Sequence, residues 1–173
     1  MRISTQVHVR PGREGGFREV AAHIRELERA GLDIAWVPES YGFDAPTAMG
    51  YLAAVTERIE IGSGIINIYT RTPTLIAETA AGLDFVSGGR AILGLGTSGP
   101  QVMEGFHGVP FDAPLDTVFT TTLDALGDIL ASDGLVVVEH ARRRSSPDAA
   151  GRLRRVRQVT SGDSALAFYE LKT

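Results

Sequence analysis

Apolar and polar residues recur with two different periods along the first hundred residues, which predicts strands and helices in turn. Alternation with a period of two predicts a first strand over Arg2–Val9, and apolar positions at helical spacing predict a helix from Phe17 to Ala30. Short apolar runs with turn residues beyond them predict three more strands, over Leu32–Val37, Ile59–Ile66 and Ala91–Gly96. The first part of the chain is therefore expected to mix both kinds of element.

Two further helices are predicted from residues that favour the start of a helix. Asp44 is followed by Ala45-Pro46 and Thr72 by Pro73, so each helix has a capping side chain and a proline in its first turn. The first of them is predicted to run to about Thr56 and the second to the glycine turn at Gly88. Strand and helix thus alternate four times with short connections, which favours an α/β fold with a parallel sheet. Both a closing barrel and an open doubly wound sheet satisfy this pattern.

The last third of the chain has one helix followed by strands with no helix between them. The helix is predicted over Asp116–Leu130, and Leu135–Glu139 is typical of a central strand buried on both faces. A Ser-Gly-Asp turn signature separates Leu153–Val159 from Ala165–Leu171, which predicts an antiparallel hairpin.

Composition is that of an ordinary globular domain and excludes several kinds of site. The chain has 173 residues, 43% of them hydrophobic, and we expect segments 1–112 and 113–173 to dock as one globule with about seven strands. It has no cysteine, which excludes disulfides and thiolate metal sites, and its four histidines lack metal-ligand spacing. No apolar run reaches the roughly 18 residues of a membrane span, and the N-terminus lacks a signal peptide's apolar core. A cytoplasmic, metal-free protein without membrane contact is expected.

Charge is unevenly distributed although the net value is only −4. Seven arginines lie between Arg142 and Arg157, which is typical either of a phosphate-binding face or of a solvated loop and strand edge. The candidates for weak contact with RNA phosphates are Arg142, Arg143, Arg144, Arg154, Arg155 and Arg157. Non-specific RNA is therefore one candidate partner.

A glycine-rich stretch follows the fourth predicted strand. Gly94–Gly99 has the spacing of a dinucleotide-binding fingerprint. However, Gly94 lies inside the predicted strand, and the next strand ends at Glu139, about twice too far along for the ribose-binding acid. A glycine-rich turn near a ligand is the better interpretation.

Polar residues also follow the earlier strands, Glu39 and Ser40 after the second and Asn67 after the third. Parallel α/β folds bind ligands at that edge of the sheet. Loops there are also polar for trivial reasons, so spacing alone leaves the question of a site open.

Four segments, Ala35–Ser40, Ile61–Ile65, Thr72-Pro73 and above all Gly94–Gly108, share a pattern with a known family. They resemble the luciferase-like monooxygenase superfamily, most closely its coenzyme F-420 (deazaflavin)-dependent oxidoreductases, and the resemblance covers residues 1 to about 115. It implies half of a (β/α)8 TIM barrel and hydride transfer between a deazaflavin, or FMN, and a small-molecule substrate.

The same resemblance implies roles for individual residues. Glu39 and Ser40 stand where the family has an acidic residue and a histidine facing the hydride-transfer side of the ring. Gly64 and Ile65 stand where it has a non-proline cis peptide behind the ring. The other implied cofactor-binding residues are Asn67, Thr97, Ser98, Gly99 and Gln101. Barrel strands five to eight have no counterpart, so a truncated oxidoreductase with weak or lost cofactor binding and low or no activity is expected.

The tail resembles a second family. Gly134–His140 and Arg157–Glu170 are similar to the C-terminus of bacterial 16S rRNA (guanine-N2) methyltransferases. This implies a hybrid chain that ends in an αβ unit and an antiparallel hairpin of Rossmann-methyltransferase type. The family's Asp-Pro-Pro-Tyr motif reads Gly108-Val109-Pro110-Phe111 here and its glycine-rich cofactor loop is absent, so S-adenosylmethionine is not expected. The alternatives to an oxidoreductase are an RNA-associated fragment and a structural chimera without catalysis, and a homo-oligomer is compatible with each.

Overall fold

Four βα units form the first part of the chain, as predicted. The computed structural model describes residues 2–8, 15–39, 41–111, 115–130 and 134–172, with the backbone alone for 115–117. The predicted site residue Ser40 and the predicted strand end at Val9 lie outside these ranges.

The predicted helices and strands are present in their predicted order, together with a two-residue strand and a π-helical turn that were not predicted. The strands are β1 Ser4–Gln6, β2 Ile34–Val37, β3 Glu60–Ser63, β4 Ile66–Asn67, β5 Ala91–Gly96, β6 Val136–Ala141, β7 Ala149–Ala150, β8 Leu153–Ser161 and β9 Ser164–Leu171. The helices are α1 Gly16–Arg29, α2 Ala45–Val55, α3 Pro73–Ser87 and α4 Leu115–Gly127, with a π-helical turn over Gln101–Phe106. No helix within the described ranges is long and apolar enough to span a bilayer.

The predicted capping residues begin and end the helices. The Asp44 carboxylate accepts a hydrogen bond from the backbone N–H of Thr47 (3.0 Å), and the Thr72 hydroxyl accepts one from that of Leu75 (3.2 Å). Gly31, which follows α1, has a φ of 103°, a conformation that glycine adopts without strain.

The third predicted strand is divided into β3 and β4. The Ser63 hydroxyl donates to the carbonyl of Gly94 and accepts from its N–H, both at 2.9 Å, and so takes the place of a regular ladder contact with β5. A cis peptide bond joins Gly64 to Ile65, and pairing with β5 resumes where Ile66 lies opposite Leu95. A single strand over Ile59–Ile66 was therefore the wrong prediction.

Within the described residues the sheet has nine strands rather than about seven. Their order is β1-β2-β3-β5-β6-β9-β8-β7, with β4 beside β5. Strands β1 to β6 run parallel, whereas β9 is antiparallel to both β6 and β8. The first part curls like half of a barrel, and the αβ unit and antiparallel hairpin predicted for the tail continue the same sheet.

In the part of the chain that the structure describes, helices cover only one face of this sheet. Val136 and Val138 of β6 belong to the core to which α4 also contributes and are fully buried, as is Tyr169 beside them on β9. The alternate residues of β6, Val137 and Glu139, are half-exposed, so β6 is buried on one face only and not on both as predicted.

Two charged side chains join the helices to the strands. The Oε1 atom of Glu28 on α1 accepts backbone N–H groups of Glu57 (3.0 Å), Arg58 (2.7 Å) and Ile59 (3.0 Å). Burial alone would raise the pKa of Glu28, but these hydrogen bonds and the Arg58 charge hold it below its ordinary value. Glu28 thereby fixes the loop that enters β3.

The guanidinium of Arg90 lies where α2, α3 and β3 come together. It donates to the backbone carbonyls of Ala53 (2.9 Å), Thr56 (3.1 Å), Ile59 (2.9 Å) and Ser87 (2.7 Å). Carbonyls at helix ends lack intrahelical partners, so Arg90 satisfies acceptors from two helices at once.

Candidate active site

The candidate site is the edge of the sheet at the carboxyl ends of β2, β4 and β5. Glu39 follows β2, Asn67 ends β4, and the loop 97–100 follows β5. Parallel strands direct these connections to the same edge, as the sequence predicts.

Glu39 is held in an ion pair with Arg71. Nη1 of Arg71 lies 2.6 Å from Oε1 of Glu39 and Nη2 lies 3.2 Å from Oε2, and the two side chains are only 9% (Glu39) and 13% (Arg71) exposed. The backbone N–H of Ala45, the first residue of α2, also donates to Oε2 (3.1 Å). Both carboxylate oxygens are therefore acceptors. Sequence reasoning missed Arg71, although it lies in the same predicted edge loop as Asn67.

The charge of Arg71 extends to a second carboxylate, that of Asp44. Burial would raise the pKa of Asp44, but hydrogen bonds from the side chain and backbone of Thr47, together with the charge of Arg71, hold it below its ordinary value. One guanidinium thus stabilises negative charge both at the end of β2 and at the start of α2.

Asn67 ties the loops after β4 and β5 together. Its side chain is buried, its Nδ2 lies 3.4 Å from the carbonyl oxygen of Thr97 and 2.7 Å from Sδ of Met103, and its Oδ1 accepts the N–H of Tyr69 (2.9 Å). The structure therefore brings the predicted residues Asn67 and Thr97 together.

Ile65 covers the end of β5. A Cβ atom added to Gly96 would lie 2.9 Å from Cγ1 of Ile65, which is too close, so Ile65 packs directly on the glycine backbone. Gly64, in contrast, is exposed, and a Cβ atom added there would meet only Cβ of Trp36, at 3.6 Å. The backbone at Gly64 and Ile65 is thus a shelf that is open on one side.

The loop after β5 is open as well. Ser98 and Gln101 are exposed, Thr97 and Gly99 are half-buried, and Ser98 has a positive φ of 56°, which is uncommon for a residue other than glycine. The carbonyl of Gly99 accepts the N–H groups of Val102 and Met103, both at 3.0 Å, so the loop leads directly into the π-helical turn.

Aromatic side chains that the sequence analysis did not single out line the rim. The rings of Tyr41 and Phe106 meet edge to face at 5.3 Å, and Phe106 also contacts His107 (4.9 Å). Tyr41 and Phe106 are 61% and 51% exposed. These residues follow β2 and β5. Their position directly after a strand of the parallel sheet is the sequence feature that could have identified them as site residues.

The predicted RNA-contacting arginines differ in their surroundings. Arg142, Arg143 and Arg144 are exposed in the turn after β6, and Arg154 is exposed on β8. Arg155 donates to the carbonyl and hydroxyl of Ser146 (2.7 and 2.9 Å) and pairs with Asp148.

Arg157 lies over the ring of Phe168, 5.3 Å from its centroid.

Within the described ranges no cluster of three or more His, Asp or Glu side chains could hold a metal ion.

A family profile described as luciferase-like monooxygenase matches residues 1–160. The match extends well past residue 115 and takes in most of the tail.

Two relatives are similar in sequence. A protein named as a coenzyme F420-dependent oxidoreductase from Mycobacterium tuberculosis is 47% identical over 92 residues, which are 53% of this chain and 26% of that protein. The structure of the coenzyme F420-dependent tetrahydromethanopterin reductase from Methanopyrus kandleri is 32% identical, with a TM-score of 0.53 over 63% of this chain and 30% of its own. The chain thus spans between a quarter and a third of these relatives.

A third comparison concerns the fold alone. The oxygenating constituent of 3,6-diketocamphane monooxygenase from Pseudomonas putida, solved in complex with FMN, has a TM-score of 0.57 at 19% identity, over 75% of this chain and 38% of its own.

Proposed function

Because the chain belongs to the luciferase-like monooxygenase family, we propose that it carries the ring-binding part of a flavin- or deazaflavin-dependent oxidoreductase site. The observation that carries the proposal is the open backbone shelf at Gly64 and Ile65, which lies beside the loop after β5. A flat ring needs close approach to backbone, and a side chain at Gly64 would obstruct it.

The residues at this edge fit such a ring. Gly64 and Ile65 would lie behind it, and the amide of Asn67 keeps the 97–101 loop at their side. Thr97, Ser98, Gly99 and Gln101 would contact the ring and the cofactor's side chain. No atom described lies within 4 Å of a Cβ added to Gly99, so the backbone is accessible there too. When bound, the cofactor supplies a hydride donor or acceptor.

Glu39 would orient groups in the site. Arg71 and the N–H of Ala45 direct donors at both of its carboxylate oxygens, so both oxygens already have hydrogen-bond partners. We propose Glu39 and Ser40 as the residues that face the reacting side of the ring.

We propose coenzyme F-420 before FMN as the cofactor, with weak binding and low or no activity. The support for F-420 is the 47% identity with the mycobacterial protein of that name. The chain spans about a quarter to a third of the length of these two relatives.

Fluorescence titration with F-420, FMN and, as a negative control, S-adenosylmethionine tests this proposal. We expect weak binding of F-420, and we expect Gly64→Val to abolish it, because the added side chain would stand on the shelf. Gly50→Val is the matched control, since Gly50 lies in α2 with open space around it. F-420 binding that survives Gly64→Val would place the site elsewhere.

The exposed arginines carry a second proposal, non-specific RNA binding by the tail. Arg142, Arg143 and Arg144 are consecutive and exposed at one turn, and Arg154 is exposed on β8, which supports contact with phosphates. We propose phosphate contact, and not methyl transfer, for residues 113–173; the luciferase-like profile extends to residue 160, and no comparison supports a methyltransferase-like tail.

A further inference from the structure

Three aromatic rings lie in a row at the candidate site. The rings of Tyr41 and Phe106 meet edge to face with their centroids 5.3 Å apart, and the ring of His107 lies 4.9 Å from that of Phe106. Tyr41 and Phe106 are 61% and 51% exposed. We call these three side chains the aromatic platform. Clustered exposed apolar groups mark interaction sites, whereas apolar residues scattered singly over a surface need no such explanation.

The platform joins two loops that leave the sheet on either side of the shelf at Gly64 and Ile65. Tyr41 lies in the loop after β2, and Phe106 ends the π-helical turn after β5. In the sheet β3 lies between β2 and β5, and the shelf directly follows β3. The contact between Tyr41 and Phe106 therefore spans the carboxyl end of the strand that leads into the shelf.

Contacts on both sides hold the loops that carry the platform. Glu39 accepts the first N–H of α2 at 3.1 Å, which closes the loop that contains Tyr41. Met103 is fully buried, and its Sδ lies 2.7 Å from Nδ2 of Asn67, which fixes the turn that ends at Phe106. A ligand that stacks on these rings need not order the backbone beneath them, and this favours binding.

Four charged side chains at this edge are already engaged. Glu39 and Arg71 pair with each other, and the Asp44 carboxylate caps α2. Oε1 of Glu104, within the π-helical turn, accepts the N–H of Phe111 at 3.2 Å. A charged ligand would have to compete with these contacts for a partner, and it would lose its hydration on binding. A neutral ligand meets neither obstacle.

We propose that the substrate of this site is a neutral aromatic molecule that stacks on the platform, and that Tyr41 and Phe106 determine this specificity. The inference rests on the proposed oxidoreductase function, because the platform borders the shelf on which the cofactor ring would lie. Aromatic side chains favour offset-stacked and edge-to-face contacts with a further ring, so a saturated molecule of the same size gains less. The phenol of Tyr41 adds a hydroxyl that can bind a polar substituent of the substrate.

Titration of the full chain with 2-naphthol, followed by ligand-detected NMR without added cofactor, tests the proposal. We expect Tyr41→Ala and Phe106→Ala each to weaken binding about three- to tenfold, and Tyr41→Phe to retain most of it because the ring remains. Phe85→Ala is the matched control, since Phe85 is 86% exposed on α3. The saturated analogue decahydro-2-naphthol and the charged analogue 2-naphthoate should both bind more weakly than 2-naphthol. Equal or tighter binding of either analogue would overturn the proposed substrate class.

Parallel titrations with F-420 separate this inference from the proposed function. Gly64→Val should abolish binding of F-420 and leave that of 2-naphthol unchanged, because the added side chain would stand on the shelf and not on the platform. If F-420 binds but 2-naphthol binds equally well to Tyr41→Ala and Phe106→Ala, or is lost only in Gly64→Val, the platform is not the substrate site. Binding of 2-naphthol that needs both rings, in a chain with no affinity for F-420, would contradict the proposed function and with it the substrate role.

Discussion

The guanidinium of Arg71 donates hydrogen bonds to both carboxylate oxygens of Glu39, at distances of 2.6 and 3.2 Å, although Glu39 lies 32 residues earlier in the chain. The pair fixes the loop after β2 to the loop after β4. Arg71→Met would leave a largely buried carboxylate without its cation, so we expect a loss of about 2–3 kcal/mol in the free energy of unfolding. Urea denaturation measures it, and the double variant Glu39→Gln/Arg71→Met should recover part of the loss. A loss in the double variant equal to the sum of the single losses would show that the two side chains do not interact.

Glu28 should make the stability depend on pH. Its pKa is lowered in the folded state, so its contribution is complete above its ordinary value of 4.5 and declines as the pH falls through the folded-state value. At pH 7 we expect Glu28→Gln to cost on the order of 2 kcal/mol, because charged acceptors hold N–H groups more strongly than neutral ones. Denaturation at pH 7 and pH 3 should show the difference between the two proteins shrinking at the lower pH. A difference that is constant with pH would contradict this role.

Two glycines should respond to alanine in opposite directions. A Cβ atom at Gly94 would lie 2.2 Å from the carbonyl oxygen of Ser63, whereas at Gly82 in α3 it would meet nothing within 4 Å. We expect Gly94→Ala to cost about 2 kcal/mol or more and Gly82→Ala to add about 0.5–1 kcal/mol. Thermal unfolding of both variants gives the comparison, and equal effects would mean that β3 and β5 are less close than described.

Neighbouring valines of β6 should differ in their importance to the core. Val138 is fully buried, and Val137 is half-exposed on the opposite face of the sheet. Val138→Ala should cost about 1–3 kcal/mol, whereas Val137→Ala should cost clearly less. If β6 and its hairpin dock on β5 as one cooperative unit, limited proteolysis should leave the tail as resistant as the first four units. Early loss of the tail alone would refute that unit.

RNA binding by the tail should be electrostatic. Replacing Arg142, Arg143 and Arg144 together by Gln should weaken binding of a labelled RNA duplex at low salt, and binding by the unmodified chain should fall steeply as salt rises. Arg155→Gln is a useful comparison, because Arg155 already binds Ser146 and Asp148 and should contribute little to RNA affinity. Salt-resistant or sequence-selective binding would contradict the proposal.

Local signals predicted the elements well, because they depend on neighbouring residues. The caps at Asp44 and Thr72 and the turn at Gly162 each form as expected. Contacts between distant residues were not predictable in the same way. The Ser63 hydroxyl that interrupts the third strand meets Gly94, and Arg71 meets Glu39, only after the sheet has formed.

The exposure of each face of the sheet could not be predicted from the sequence either. Leu135–Glu139 is apolar enough for burial on both faces, yet its surroundings depend on what lies beyond the sheet. For the candidate site, the sequence indicated the edge and the residues Asn67 and Thr97, which the structure brings together. It did not indicate that Glu39 is already paired.

The hydrogen bonds of Arg90 limit where this chain can be divided or exchanged. Its acceptors on Ala53, Thr56, Ile59 and Ser87 belong to the second and third βα units, while Arg90 itself precedes the fourth. A segment exchanged with a relative anywhere between Ala53 and Arg90 would have to bring a matching donor or acceptors with it. Exchange beyond Arg90 leaves this set of contacts whole, so a junction there disturbs none of the four carbonyl acceptors.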